Sequence, residues 1–206
     1  MCTVLIQCKL HKSHTIYSLI RPRQTVLLFF SLSICYNNLT IRKAGHTMAE
    51  NVKTNVMRIL EKAGIAHHIH YYDPDKGIDG LSVAAQLGQD PQAVFKTLVT
   101  QGKSRAFYVF VIPVGATLSL KRAASVCGEK SIEMIPVKQI NAISGYIRGG
   151  CSPIGMKKCF PTFIDESVLS FNTIFFSAGR IGAQIEMSAS DLKKVVNYRT
   201  LDLCKE

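Results

Sequence analysis

Apolar residues fall first into a helical rhythm, at Val52, Val56, Ile59/Leu60 and Ala63, with Gly64 as the stop. The segment from Met48 therefore predicts a helix that opens at once. At 67–72 the run HHIHYY predicts a strand, and DPDKGIDG after it a loop. Val83–Leu87 predicts a short helix ended by Gly88, and Asp90-Pro91 caps the next turn. FKTLVT (95–100) and AFYVFVIPV (106–114) predict two strands joined by a hairpin at Gln101–Arg105. Ser119 can cap a helix that runs to Cys127 and stops at Gly128. SIEMI then predicts a strand and PVKQINAI a helix. A loop follows Tyr146, with the unusual stretch GGCSPIGMKKC at 149–159. PTFID, TIFFSA and AQIEM predict three more strands, the last two joined by a tight GRIG turn. Ser188 and Asp191 have the spacing of a capping box that opens a final helix, and TLDLC predicts a closing strand. Strands outnumber helices, short turns join most of them, and helices interrupt without strict alternation. The fold class is α+β, with a curved, largely antiparallel mixed sheet and flanking helices.

Composition changes this picture in two places. The chain of 206 residues is 47% apolar, enough for one domain with a real core. Its formal net charge of +11 suits a polyanionic partner such as nucleic acid, and equally plain solubility. The charge is uneven: residues 1–47 hold six basic residues and no acid, so the other 19 basic residues face all 14 acids. Within that segment, TVLLFFSLSICY (25–36) is shorter than the ~20 apolar residues a bilayer span takes. The order of Arg21, Arg23 and the apolar run is that of a secretory signal, though no small-x-small cleavage site follows, and the acid-free segment also resembles a transit peptide. The favoured reading is that 1–47 is a poorly ordered extension ahead of a natural start at Met48, with 48–206 the folded body. Seven cysteines, an odd number with no CxxC pair, fit a reducing, cytoplasmic compartment better than a disulfide framework.

Candidate chemistry is sparse. Cys151 and Cys159 have no histidine nearby and lack zinc spacing, so no metal is expected. A Cys151 nucleophile needs a base, and the nearest histidines in pattern, His67, His68 and His70, alternate along one strand with no readable carboxylate partner. Lys96 stands inside the otherwise apolar or Thr strand VFKTLVT and shares a face with Leu98. Two roles stay open for it: an outward surface charge, or a half-buried cation that binds phosphate or polarises a carbonyl. The glycine loops GGCSPIG and SAGRIG have neither phosphate-loop nor dinucleotide spacing. They are either tight turns or backbone cradles for an oxyanion or phosphate.

Together, FKTL on a strand, GY-x-x-GG-x-SP-x-G-x-KK after a helix, and S-x-G before a strand resemble the YbaK/EbsC family over about 48–204. Its members are Cys-tRNA(Pro) deacylases and the related editing domain inserted in bacterial prolyl-tRNA synthetases. The resemblance implies a barrel-like version of the sheet and a trans-editing hydrolase that clears mischarged tRNA, without cofactor. Cys-tRNA(Pro) is the leading substrate; Ala-tRNA(Pro) editing and a non-catalytic tRNA- or nucleotide-binding module are the alternatives. It further implies that Lys96 is the essential pocket residue. Tyr72, Thr97, the loop residues Gly149, Gly150, Ser152 and Pro153, and Ser177 and Gly179 of the turn would bind substrate. For a cysteinyl ester the nucleophile is the substrate's own thiol, not Cys151. Lys121, Arg122, Arg148, Lys157, Lys158 and Arg180 are candidates to contact the acceptor end of a charged tRNA. Prolyl-tRNA synthetase is a candidate partner and a membrane is not. The chain departs from the family at Asp79 before Gly80, at the turn Ser177-Ala178-Gly179-Arg180-Ile181-Gly182, and at Gln184, where an Asp is frequent. Those departures leave the choice between cysteine and alanine open.

Overall fold

The computed structural model describes residues 52–205. The extension 1–47 and the start at Met48 lie outside the described residues.

The first helix, α1, spans Asn55–Lys62 and begins later than the sequence pattern suggests. Thr54 is its N-cap and accepts a hydrogen bond from the Met57 N–H, so Val52 and Lys53 precede the helix and Val52 is exposed. Val56, Met57 and Leu60 are buried, each side chain contributing about 2 kcal/mol of apolar transfer. After β1 (His67–Tyr71), helix α2 spans Gly80–Leu87. It opens a turn ahead of Val83, because Asp79 accepts from the Ser82 N–H and side chain. That cap was readable as Asp-x-x-Ser. Strands β2 (Phe95–Gly102) and β3 (Phe107–Pro113) form the expected hairpin. Then come α3 (Leu120–Cys127), β4 (Ile132–Met134), α4 (Val137–Ser144), β5 (Thr162–Asp165), β6 (Thr173–Ser177), β7 (Ala183–Ser188) and β8 (Tyr198–Leu201). The closing strand thus starts earlier than TLDLC. Ser188 makes no side-chain cap: its hydroxyl pairs with Ser190, Asp191 pairs with Lys194, and Ala189–Lys194 is a 3-10 helix rather than an α-helix.

The strands form two sheets and no closed barrel among the described residues. One is antiparallel, in the order β1-β7-β6; the other is mixed, in the order β4-β2-β3-β5-β8. Antiparallel pairings predominate, the parallel ones being β3–β5 and β5–β8. An isolated bridge between Val94 and Phe175 joins the two sheets. The run FYVFVI in β3 is buried on both faces, so it carries no polar alternation. Val109 and Val111 face a core shared with α1, β6 and β7. Phe110 and Ile112 face a second core under α3, where Phe110 stacks on Phe163 at 5.3 Å.

Strand β2 is the element that matters for a site. β4 pairs with it only at Thr100–Gly102, and the β-bridge to β6 lies at Val94, just ahead of β2. The stretch from Lys96 to Leu98 therefore has no partner strand on the edge away from β3. Val114 N–H donates to Val94 O across the β2–β3 pair. The alternation of an antiparallel ladder then turns the backbone of Thr97 toward the uncovered edge.

Candidate active site

A cavity of about 730 Å³ opens against that edge. Its walls come from β2, the start of α2, the β4–α4 segment, β7 and the loop after α4. Lys96, the expected essential pocket residue, and four expected substrate residues, Tyr72, Thr97, Gly149 and Ser177, all line it, so four segments far apart in the chain meet at one place. Gly150, Ser152, Pro153 and Gly179 do not form its wall. Ser152 is buried, and its hydroxyl accepts from the Ile154 N–H; Pro153 is buried beside it. These two shape the loop from within.

Lys96 is half-buried, and its ammonium donates to the carbonyls of Val114 (2.9 Å) and Ala116 (2.7 Å). Two of its three donors are thus engaged, and the third is free for a ligand. Burial lowers its pKa from the usual lysine value, and the nearby Cys204 opposes that shift. The clamping turn is itself braced. Ala116 N–H donates to Pro113 O, and the C-terminal segment pairs with the chain beyond through Ser119 N–H to Leu203 O and Lys205 N–H to Thr117 O. Lys96 is thus a half-buried cation at the cavity rather than an outward surface charge.

The two glycine loops pack against each other. Gly149 takes φ +82°, which residues with side chains adopt only under strain. A Cβ on Gly150 would stand 3.1 Å from the Arg180 backbone. Tyr72, one residue past β1, joins them through its N–H to Gly182 O at 3.1 Å. Two buried polar atoms on cavity residues have no hydrogen-bond partner, Thr97 Oγ1 and Gln184 Oε1. Such orphan groups are costly unless a ligand satisfies them.

Cys151 also lines the cavity, but burial pushes its thiol up to about 12. It stays protonated at neutral pH and is a poor nucleophile. Cys151→Ser should therefore keep kcat within about threefold, a change under 1 kcal/mol in barrier. A loss of orders of magnitude, or an acyl group trapped on Cys151 in mass spectra, would return the nucleophile role to it. Among the described residues, no group of three His, Cys, Asp or Glu side chains is placed to hold a metal ion.

The histidine strand needs a correction. His70 Nε2 lies 2.5 Å from Glu186 Oε2, and its ring meets Phe175 edge-on. The carboxylate partner was hidden because β1–β7 pairing brings it from 116 residues away.

The candidate cations separate into groups. Arg148 is exposed and lines the cavity mouth. Lys157 and Lys158 are exposed on the same loop, Lys157 donating to Asn141 O at 3.1 Å. Arg180 lies over the Tyr71 ring at 5.5 Å. Lys121 lines a separate hollow beside Ser125 and Lys130. Arg122 is held by Asp202 and by Cys204 O, and serves the C-terminal brace rather than an open phosphate site.

Sequence reasoning missed the apolar mouth. Ile78, Leu81, Met134 and Val137 line the cavity, yet each is 40–56% exposed. For Leu81 and Val137 the signal was a large apolar residue in the first turn of a helix, where polar ones are common. Clustered exposed apolar side chains at a cavity mark a binding surface.

Residues 81–195 match the family profile of the aminoacyl-tRNA editing domain. A protein of Enterococcus faecalis described as "Putative Cys-tRNA(Pro)/Cys-tRNA(Cys) deacylase EbsC" is 40% identical over 146 residues, covering 70% of this chain and 89% of that protein. Two solved structures share the fold. One, described as "a putative trans-editing enzyme for prolyl tRNA synthetase", has a TM-score of 0.66 at 19% identity, covering 74% of this chain and 99% of the other. The second, described as a hypothetical protein, has a TM-score of 0.67 at 20% identity, covering 73% and 99%.

Proposed function

The chain belongs to the aminoacyl-tRNA editing domain family, and from that premise we propose that it is a trans-editing hydrolase releasing cysteine from mischarged Cys-tRNA(Pro). The observation that carries this reading is Lys96: a half-buried ammonium, anchored on two carbonyls, with its remaining donor at a cavity that the glycine loop also lines. An aminoacyl ester is already activated, so the site has only to orient it and stabilise the oxyanion that develops at its carbonyl. Lys96, the Thr97 backbone on the open edge, and the Gly149 and Cys151 amides of the glycine loop supply that stabilisation. The thiol of the cysteinyl group attacks its own ester carbonyl. A C–S bond forms, the C–O bond to the ribose breaks, and the thiol proton passes to the departing ribose oxygen. Water then opens the cyclic thioester to free cysteine. The attack is intramolecular, so holding the ester in a near-attack pose gives most of the rate.

A cavity of about 730 Å³ exceeds a cysteinyl group and is in the range that buries a drug-sized ligand. That size supports a substrate in which the terminal adenosine enters too, its base against the apolar mouth and its phosphate near Arg148. Lys157, Lys158 and Arg180 extend the basic track; prolyl-tRNA synthetase supplies selectivity for the tRNA, and the protein works in the cytoplasm. No helix of the described residues is long and apolar enough to cross a membrane. Deacylation of a panel of Cys-tRNA(Pro), Ala-tRNA(Pro) and Pro-tRNA(Pro) tests the assignment. Cysteine is expected to be released fastest, and faster release of alanine would move the substrate to Ala-tRNA(Pro).

We further propose that 48–206 is the catalytic body. Deleting 1–47 should change neither Tm nor kcat on a minimal charged tRNA. KM should rise slightly at low salt, because six basic residues are lost, and that effect should fade as salt increases. A truncated chain that loses turnover at every salt concentration would show that the extension completes the body.

A further inference from the structure

Three side chains outside the cavity wall act on both glycine loops from behind. Thr54, the N-cap of α1, donates through Oγ1 to Ala178 O in the Ser177–Gly182 turn at 2.6 Å. Asn55, the next residue, donates through Nδ2 to Gly155 O at 3.1 Å. Tyr146 donates through its hydroxyl to Ile154 O at 2.5 Å. Its ring also fills the space between the loops. A Cβ on Gly179 would stand 3.0 Å from Tyr146 Cε1 and 2.9 Å from Val56 Cγ2. One on Gly155 would stand 3.2 Å from the Tyr146 hydroxyl and 2.6 Å from Asn55 Nδ2. The first turn of α1 and one buried tyrosine thus grip both loops, which meet where Gly150 touches the Arg180 backbone.

We infer that Thr54, Asn55 and Tyr146 are positioning residues for the editing site, fixing the spacing of the loop that carries Gly149 against the turn that carries Ser177. The inference rests on the editing function proposed above. Thr54, Asn55 and α1 lie before the 81–195 segment that the family profile matches. Each hydrogen bond takes a loop carbonyl close in sequence to a cavity residue: Ala178 follows Ser177, and Ile154 and Gly155 close the loop that begins at Gly149. A carbonyl held in this way fixes the adjoining peptide planes, and with them the directions of the amides offered to an oxyanion. Small displacements in such a cradle cost rate far more than they cost binding of the rest of the substrate.

Asn55 makes the sharpest test. Its side chain is exposed and outside the core, so Asn55→Ala folds, and a purely structural role predicts no kinetic change. Tyr146→Phe keeps the ring and removes only the hydroxyl. For the full chain acting on Cys-tRNA(Pro), each variant should lower kcat about tenfold and leave KM within about twofold. The double variant should fall short of the product of the two losses, because both act on one loop. Thr54→Ser should remain near wild type, whereas Thr54→Val should lose kcat. Amide hydrogen exchange gives a second readout that does not need activity: the amides of 149–155 should exchange faster in Asn55→Ala. Faster exchange with unchanged kcat would overturn the positioning role, and unchanged exchange would overturn the clamp itself. A wild-type chain inert on charged tRNA would overturn the editing function, and the exchange result would still decide whether the clamp exists.

Discussion

Replacing Lys96 with methionine should lower kcat for deacylation by about 10²- to 10³-fold, the range seen when a preorganised donor to a developing oxyanion is removed. Lys96→Ala should do the same. Methionine keeps most of the packing along β2, so the fold should survive; the Val114 and Ala116 carbonyls lose their donor, and Val114 lines the cavity, where water can replace it. The pH profile gives an independent check. Burial lowers the pKa of this lysine, so the ammonium is complete below that lowered value and is lost as pH rises through it. After subtraction of spontaneous ester hydrolysis, the wild-type rate should show a falling limb on the alkaline side, below the ordinary lysine range. The Lys96→Met variant should lack that limb. A folded Lys96→Met enzyme with wild-type turnover would remove Lys96 from the chemistry.

The second large effect is expected at Gly150. This residue has no positive φ, so alanine can adopt its backbone, and the substitution tests only the approach of the two loops. An added Cβ would meet Arg180 Cα and carbonyl carbon at 3.1 Å and Ile181 N at 3.2 Å. These are backbone atoms and cannot rotate away, so the loops must separate. Gly150→Ala should cost about 1–3 kcal/mol of stability through overpacking. It should cost about tenfold in kcat, because the catalytic cradle is displaced by a few tenths of an ångström and a full ångström costs about 10²-fold. The kinetic loss should persist well below the Tm of the variant. If kcat is restored at low temperature, only stability was affected and the cradle does not depend on this contact.

Much of the architecture was legible because local signals and tertiary context agree. Gly64, Gly88 and Gly128 end helices where the pattern put the stops, and the FKTLVT–AFYVFVIPV hairpin forms in the expected place. Failures occurred where a partner that the local pattern does not name takes the side chain. Ser188 and Asp191 have capping-box spacing, but nearby Ser190 and Lys194 take their side chains. His70 finds Glu186 only through the pairing of β1 with β7. Arg122 looked like a free cation until the C-terminal segment folded back and supplied Asp202. The split into two sheets could not be read from strand patterns, since the pattern of a strand reports which faces are buried and not which strand it pairs with.

The candidate site was legible in part for a related reason. Lys96 stood out as a charge inside an apolar strand, and glycine density marked both loops. The apolar mouth, the orphan Thr97 and Gln184 oxygens and the grip of α1 on the loops arise from contacts between segments far apart in sequence. Composition and periodicity carry no trace of such contacts. Ser152 and Pro153 show the reverse case: the motif marks them, yet they support the loop from inside rather than facing the cavity.

The most direct test of the editing function is single-turnover release of cysteine from purified Cys-tRNA(Pro), with Pro-tRNA(Pro) followed in parallel. The predicted result is cysteine release far above the spontaneous rate, dependent on Lys96, with prolyl-tRNA left intact. Binding of Cys-tRNA(Pro) without accelerated release, or equal release of both amino acids, would contradict it.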